Sequence, residues 1–202
     1  NRVLYESLAA SLPGVPYATV LTDLADYPPH FWMEPDLPIH LLCGSDRAVA
    51  QAHSAGHAPS HIHATSGMLM RAAFYEQPAA DRVAERARLG LDPRLPTGMV
   101  LFGGQGSKAM LNIAKRLPET QLILACGHNA ALAESLRALP ARAPRLVLGF
   151  TPDVARYMQL ADFFIGKPGP GSVSEAVQMH LPVIVVRNRY TLPQERYNTQ
   201  WV

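Results

Sequence analysis

Residues 98–117 read GMVLFGGQGSKAMLNIAKRL. A short apolar run ends at Phe102, three glycines follow within four residues, and an amphipathic pattern begins, with apolar side chains at Met110, Ile113, Ala114 and Leu117. A continuous apolar run of about five residues is the mark of a strand buried on both faces. Spacing of three and four residues marks a helix with one covered face. The alternation then repeats. TQLILACG (120–127), PRLVLGF (144–150), DFFIG (162–166) and LPVIVVR (181–187) read as strands. NAALAESLRAL (129–139), TPDVARYMQLA (151–161) and SVSEAVQMH (172–180) read as helices, the second with Thr151 as cap, Pro152 at its first position and Asp153 in its first turn. Strands alternating with helices of about ten residues predict an α/β, Rossmann-like parallel sheet covered on both faces.

Upstream the rhythm is looser. NRVLYESLAASL (1–12) reads as a helix, VPYATVLTDL (15–24) as a strand and ADYPPHFWMEPDLP (25–38) as a loop rich in proline and aromatics. IHLLCG (39–44) is a strand, SDRAVAQAHSAG (45–56) a helix capped by Ser45, SHIHATSG (60–67) a short strand and AADRVAERARLGL (79–91) a helix. These look like the last βα units of a preceding α/β domain, with the link near Gly67–Gln77. The expected division is residues 1–67 and 68–202. Both ends fall within helical patterns, which suggests a piece of a longer protein.

The totals exclude several classes. The chain has 202 residues, 48% hydrophobic and 17% charged, enough for a sizeable core and too apolar for general disorder. A net charge of +2 with scattered basic residues argues against a nucleic-acid partner. Cys43 and Cys126 each end an apolar run and read as two buried thiols, which fits a reducing compartment. No stretch approaches the roughly 18 apolar residues of a membrane span.

Three clusters carry candidate chemistry. Gly104, Gln105, Gly106 and Ser107 lie where a strand gives way to a helix, a place suited to phosphate because free N–H groups and the helix dipole converge there. The spacing fits a loose dinucleotide fingerprint, but no acidic residue follows about 20 positions on to hold a ribose, which disfavours a dehydrogenase. The second cluster is IGKPGPGSVSEA (165–176). Gly169, Pro170, Gly171 and Ser172 form a second phosphate-type turn, and Glu175 could accept bonds from vicinal hydroxyls. The competing reading is a capping box, Ser172-x-x-Glu175. The third is TLPQERYN (191–198), where Gln194 and Glu195 suit sugar hydroxyls, or else decorate a solvated helix start after Pro193. His53, His57, His61 and His63 crowd AHSAGHAPSHIH (52–63), but Gly56 and Pro59 break any common helical face, so a polar loop is expected and no metal site.

Taken together, GGQGS (103–107), GFTPDVARYMQLADFFIGKPGPGSVSEAVQMHLPVIV (149–185), PQERYN (193–198) and TDLADYPPHFW (22–32) resemble the MurG and monogalactosyldiacylglycerol synthase group of glycosyltransferases, of the family 28 type. The resemblance covers most of the chain and is most specific over 149–198. It implies a GT-B fold, with the final units of the acceptor-side domain followed by the donor-binding domain. It also implies transfer of a hexose from a UDP-sugar to a lipid such as diacylglycerol or another hydroxyl acceptor, without a catalytic metal or other cofactor. Carried over by position, Gly104, Gln105, Gly106 and Ser107 would face the diphosphate, and Phe150 would lie beside the uracil. Gly169, Pro170, Gly171 and Ser172 would make the second phosphate-side turn, Glu175 would bind the ribose, and Gln194 and Glu195 would hold the donor sugar.

The chain departs from the family where Pro28-Pro29 replaces a His-Pro pair and Gly67-Met68-Leu69-Met70 replaces Gly-x-Pro-Val. The Gly- and His-rich loop that carries the family's base is not in the chain, which leaves Asp23 as a candidate near the acceptor and a transfer-inactive piece as the expectation. A UDP-sugar epimerase of the same architecture and a non-enzymatic nucleotide-binding module are the alternatives. The resemblance further implies glycolipid synthesis in the cytoplasm, peripheral to the inner face of the membrane.

Overall fold

The computed structural model describes residues 1–28, 30–76, 81–187 and 191–202. Pro29, Gln77, which closes the expected link, and Ala79 and Ala80 of the expected helix lie outside the described residues. The chain divides into two compact units, Asn1–Leu69 with Arg189–Trp201, and Met70–Asn188 with Val202. The expectation had kept Gln194 and Glu195 with the second domain; the structure groups them with the first unit.

The first unit holds a three-stranded parallel sheet in the order β1 (Ala18–Val20), β2 (His40–Cys43), β3 (Ile62–Ala64). Helix α1 (Arg2–Ser11) precedes it, and α2 (Asp46–Ser54) connects β2 to β3. Ser45 caps α2 as expected, its hydroxyl accepting from Ala48 N at 3.1 Å. Ala48 and Ala52 then press α2 onto Leu41, Cys43 and Ile62. The aromatic loop is pinned from inside: the buried Asp26 carboxylate accepts from His30 N at 2.9 Å and Trp32 N at 2.8 Å. Gln51 bonds the backbone of Asp26 from both ends of its amide. The final described stretch carries a 3-10 turn, Pro193–Glu195, and the short helix α8 (Asn198–Trp201).

The second unit contains α3 (Arg82–Arg88), β4 (Thr97–Leu101), α4 (Ala109–Arg116), β5 (Gln121–Ala125), α5 (Ala130–Arg137), β6 (Arg145–Leu148), α6 (Val154–Gln159), β7 (Phe163–Gly166), α7 (Pro170–Gln178) and β8 (Val183–Val185). All its strands are parallel, in the order β6-β5-β4-β7-β8. The chain therefore starts in the middle, runs outward to β6, and returns to the other side of β4 for β7 and β8. Alternate residues on each strand point to opposite faces. Met99, Ile123 and Phe164 meet Ala155 and Met158 of α6 and Ala176 of α7 on one face. Val100, Leu122, Leu124 and Ile165 meet Met110, Ala114, Leu132 and Leu136 of α4 and α5 on the other. This is the doubly wound arrangement that the continuous apolar strands predict. Both cysteines are buried and free, and burial pushes the Cys43 thiol up to about 11.

Three helix starts differ from the sequence reading. Helix α4 begins at Ala109 rather than Ser107, whose hydroxyl instead accepts from Ala109 N at 3.2 Å. Helix α6 begins at Val154, because Thr151 Oγ1 accepts from Asp153 N at 3.1 Å in a turn ahead of the helix. Helix α7 starts two residues earlier than expected, at Pro170, since proline's fixed φ suits the first helical position.

Two polar arrangements fix the second unit. Arg86 is buried, donates to the carbonyl of Leu160 at 2.6 and 2.9 Å and pairs with Asp162 at 2.7 Å. Asp162 also accepts from Thr97 N at 2.7 Å and pairs with Arg82 at 2.6 Å. Burial pushes the Asp162 carboxyl up, but the Thr97 bond and the two guanidinium groups outweigh it and hold it below its ordinary 3.8. At the other end of the strands, Gly127 sits at φ +60°, and a Cβ there would come within 2.1 Å of the Gly104 carbonyl oxygen.

Arg86→Ala should lower the unfolding free energy by about 2–3 kcal/mol in urea titrations, because the Leu160 carbonyl loses its two short bonds and keeps only the 3.4 Å bond from Arg82. The Asp162 contribution, read as the stability difference from Asp162→Asn, should be complete above about pH 5 and shrink as pH falls through the depressed native value, since that carboxylate must then take up a proton. Gly127→Ala should cost at least about 1–2 kcal/mol for its left-handed backbone alone. It should also accelerate amide exchange at His128, whose N–H donates to that same Gly104 carbonyl at 2.8 Å.

Candidate nucleotide-sugar site

In an open parallel sheet, ligands bind beyond the carboxyl ends of the strands, where successive connections leave for opposite sides. Here that point lies between β4 and β7. The loop after β4 contains Gly103, Gly104, Gln105, Gly106 and Ser107, and the loop after β7 contains Lys167, Pro168 and Gly169 ahead of α7. The loops are neighbours: a Cβ on Gly103 would lie 3.7 Å from Lys167 Cε. Two of the three expected clusters thus share one sheet edge. Gln194 and Glu195 belong to the other unit, where Glu195 is buried.

Backbone conformation separates the glycines here. Gly106 has φ +60°, and a side chain there would strike Leu132 Cδ2 at 2.7 Å, so the fold itself requires it. Gly104 and Gly171 have no left-handed φ, and nothing lies within 4 Å of the place a Cβ would occupy. Neither packing nor backbone demands glycine at these two positions. The space they leave belongs to no part of the described chain, which is what close approach of a ligand to backbone requires.

Helix α7 supplies the donors. Gly169 stands at its N-cap position and offers no side chain to cap it, and Val173 N is the first amide to bond back into the helix, to Gly169 O at 3.1 Å. The amides of Gly171 and Ser172 are left among the unpaired N–H groups of a helix start, which favour an anion. Ser172 is the third residue of the helix rather than its cap, so the capping box does not form.

Glu175 sits one turn further along the same helix. It is partly buried, and its carboxylate makes no hydrogen bond among the described residues. Burial pushes its pKa above the ordinary 4.5, and the nearby charge of Arg71 opposes that rise. Arg71 also donates to the Pro152 carbonyl at 2.9 Å, so one guanidinium joins the loop after β6 to the neighbourhood of Glu175. That loop presents Phe150, 63% exposed. The Phe150 ring stacks on His128, with centroids 4.2 Å apart and planes 16° from parallel.

Arg71, Lys167 and His128 escaped the sequence reading. Lys167 directly follows β7 and His128 comes three residues after β5, so the strand-end rule would have flagged both. Arg71 lies in an irregular segment, and no local pattern marks it.

Asp23, the candidate acid–base residue, is buried in the first unit, and its carboxylate accepts from the Trp32 indole N–H at 3.1 Å. It is held as part of the aromatic loop. Among the described residues no group of three His, Cys, Asp or Glu side chains could hold a metal ion. His40 Nδ1 and His63 Nε2 lie 3.1 Å apart, a contact one shared proton accounts for. No helix among the described residues is long and apolar enough to cross a membrane.

The chain is 30% identical over 202 residues to a chloroplastic monogalactosyldiacylglycerol synthase of Spinacia oleracea, covering 95% of this chain and 38% of that protein. A probable monogalactosyldiacylglycerol synthase 3 of Oryza sativa subsp. japonica is 33% identical over 201 residues, covering 93% and 38%. The chain thus spans about two fifths of the length of these relatives. Among solved structures, Anabaena Alr3699/HepE in complex with UDP-glucose matches with a TM-score of 0.57 at 17% identity, over 89% of this chain and 56% of that one. MurG of Acinetobacter baumannii matches with a TM-score of 0.54 at 19% identity, over 96% and 52%. The likeness to these two structures shows the fold. The glycosyltransferase family 28 C-terminal domain matches residues 99–200, from the first strand of the second unit to the last helix, and by that match the chain belongs to glycosyltransferase family 28.

Proposed function

We propose that the protein transfers a hexose from a UDP-sugar to a lipid hydroxyl, and that the second unit binds the donor. The observation that carries this reading is the pair Gly104 and Gly171. At each of them nothing lies within 4 Å of the place a side chain would occupy, and Glu175, on the same helix as Gly171, has a carboxylate with no hydrogen bond among the described residues. The family match supports a glycosyltransferase and does not favour an epimerase or a non-enzymatic nucleotide module. The names of the relatives point to a galactosyl group and a diacylglycerol acceptor.

In this reading the diphosphate lies between the Gly104–Ser107 loop and the start of α7. Backbone N–H groups of Gly171 and Ser172 and the hydroxyl of Ser172 meet its oxygens. They gain strength as negative charge builds on the departing UDP, so they favour the transition state over the bound substrate. Glu175 accepts from the ribose hydroxyls, and Arg71 keeps its carboxylate available by opposing the burial. Phe150 lies beside the base. Gln194 and Glu195 keep the sugar-side role that the family resemblance implies, and neither requires a metal. A base that takes the acceptor proton is also needed; Asp23, engaged with Trp32, is not placed in that role. A lipid acceptor would bring the protein to a membrane surface, and Phe31, 54% exposed on the aromatic loop, is a side chain suited to that contact.

Calorimetric titration with UDP tests the donor site. Saturable binding is expected, and Glu175→Gln should weaken it by about tenfold or more, the usual effect of removing a hydrogen bond to a charged group. Absence of saturable heat at millimolar UDP would overturn the reading. A second outcome concerns protons. The raised carboxyl pKa means that Glu175 adds stability when protonated and loses that contribution as pH rises through its native value. Hydroxyl donors favour the ionised form and lower that pKa. UDP binding should therefore release protons as pH rises through the raised native value of Glu175, seen as a buffer-dependent binding heat that disappears in Glu175→Gln.

A further inference from the structure

The His128–Phe150 stack has no role in holding the fold together. Both side chains are exposed, and neither belongs to the hydrophobic clusters on the two faces of the sheet. An aromatic side chain 63% exposed at a strand end is free to rotate unless something fixes it. Here the fixing element is an imidazole from the adjacent strand's loop, nearly parallel to it at 4.2 Å. With one face against His128, the Phe150 ring has its other face open to solvent.

His128 is itself held in place. Gly127 before it is left-handed and touches the Gly104 carbonyl too closely for any side chain. The His128 amide donates to that carbonyl at 2.8 Å. Asn129 after it donates from Nδ2 to the Gln105 carbonyl at 3.2 Å, while its Oδ1 caps α5 through Leu132 N at 3.0 Å. Three consecutive residues thus lock the loop after β5 onto the loop after β4, and the middle one sends its ring to Phe150.

We propose that His128 is a positioning residue of the donor site: it fixes the plane of Phe150 as a ledge for the nucleobase and ties that ledge to the diphosphate loop. The proposal rests on the UDP reading above. A flat base laid on the open face of Phe150 becomes the third layer of a stack whose lower layers are already ordered. Stacking on a ring of fixed orientation avoids the entropy of ordering that ring at the moment of binding. Because the same backbone segment that carries the His128 ring also bonds Gly104 and Gln105, the base ledge and the diphosphate loop keep a set distance from each other.

The test compares two probes, UDP and inorganic pyrophosphate, in wild type, His128→Ala and His128→Phe. His128→Ala removes the supporting ring and keeps the backbone bond to Gly104. UDP should bind about three- to tenfold more weakly, the usual range for loss of one aromatic pair. Pyrophosphate affinity should stay within about twofold. His128→Phe, which restores a flat ring, should recover most of the UDP affinity. Equal loss for both probes in His128→Ala would show that the residue merely supports the diphosphate loop and would overturn the proposal. So would unchanged UDP binding in His128→Ala, or no recovery in His128→Phe. Failure of wild type to bind UDP is a separate result, which removes the donor-site reading itself.

Discussion

One carbonyl oxygen organises the candidate site. Gly104 turns its oxygen toward the loop after β5, where the His128 amide meets it and Gly127 leaves the room for it to approach. That contact adds to the loop's own turn, Gly106 N to Gly103 O at 3.2 Å, and to the bond from Asn129 Nδ2 to the Gln105 carbonyl at 3.2 Å. Nothing lies within 4 Å of the place a Cβ on Gly104 would occupy, and in the proposed function that open side is where the donor approaches. The chain obtains an open backbone surface by packing the other surface of the same loop tightly.

A second constraint acts at the opposite end of the strands. Asp162 and Arg86 join the start of β7 to the start of β4 through Thr97 and to the Leu160 carbonyl. β4 and β7 are the two strands whose carboxyl ends border the crevice. Their mutual position is set by the ladder between them and by this polar clamp, so the two neighbouring glycine-rich turns start from rigid supports. Preorganised donors of this kind stabilise developing charge without needing to reorganise. Glu175 shows the cost of such a site. Its carboxyl is partly desolvated and makes no hydrogen bond among the described residues, and the nearby charge of Arg71 opposes the resulting rise in pKa.

Much of the second unit was legible from short-range pattern. Buried parallel strands are continuous apolar runs, and their helices carry apolar residues at three- and four-residue spacing, so element type and order followed directly. Helix starts were less legible, because they depend on which side chain takes the first amides. Thr151 and Ser107 bond ahead of their helices, and Pro170 begins α7 with no side-chain cap at all. The Ser172–Glu175 spacing suggested a capping box, but Ser172 lies inside the helix, which leaves Glu175 without that partner. In the first unit the strands are shorter than their apolar runs, since only three or four residues of each find a neighbouring strand.

The sequence by itself determined the α/β alternation, the two glycine-rich turns at strand ends and the family to which they belong. Each of these is written in residues adjacent along the chain. Tertiary structure alone decided which glycines the fold requires and which it leaves beside open space, since that depends on what lies within 4 Å of an absent Cβ. It alone brought Arg71 to Glu175 across about a hundred residues and laid His128 against Phe150. Strand order does this: β5 and β6 are neighbours, the return to β7 crosses β4, and residues far apart in sequence meet at the carboxyl edge. Separation along the chain carries no local signal of such meetings.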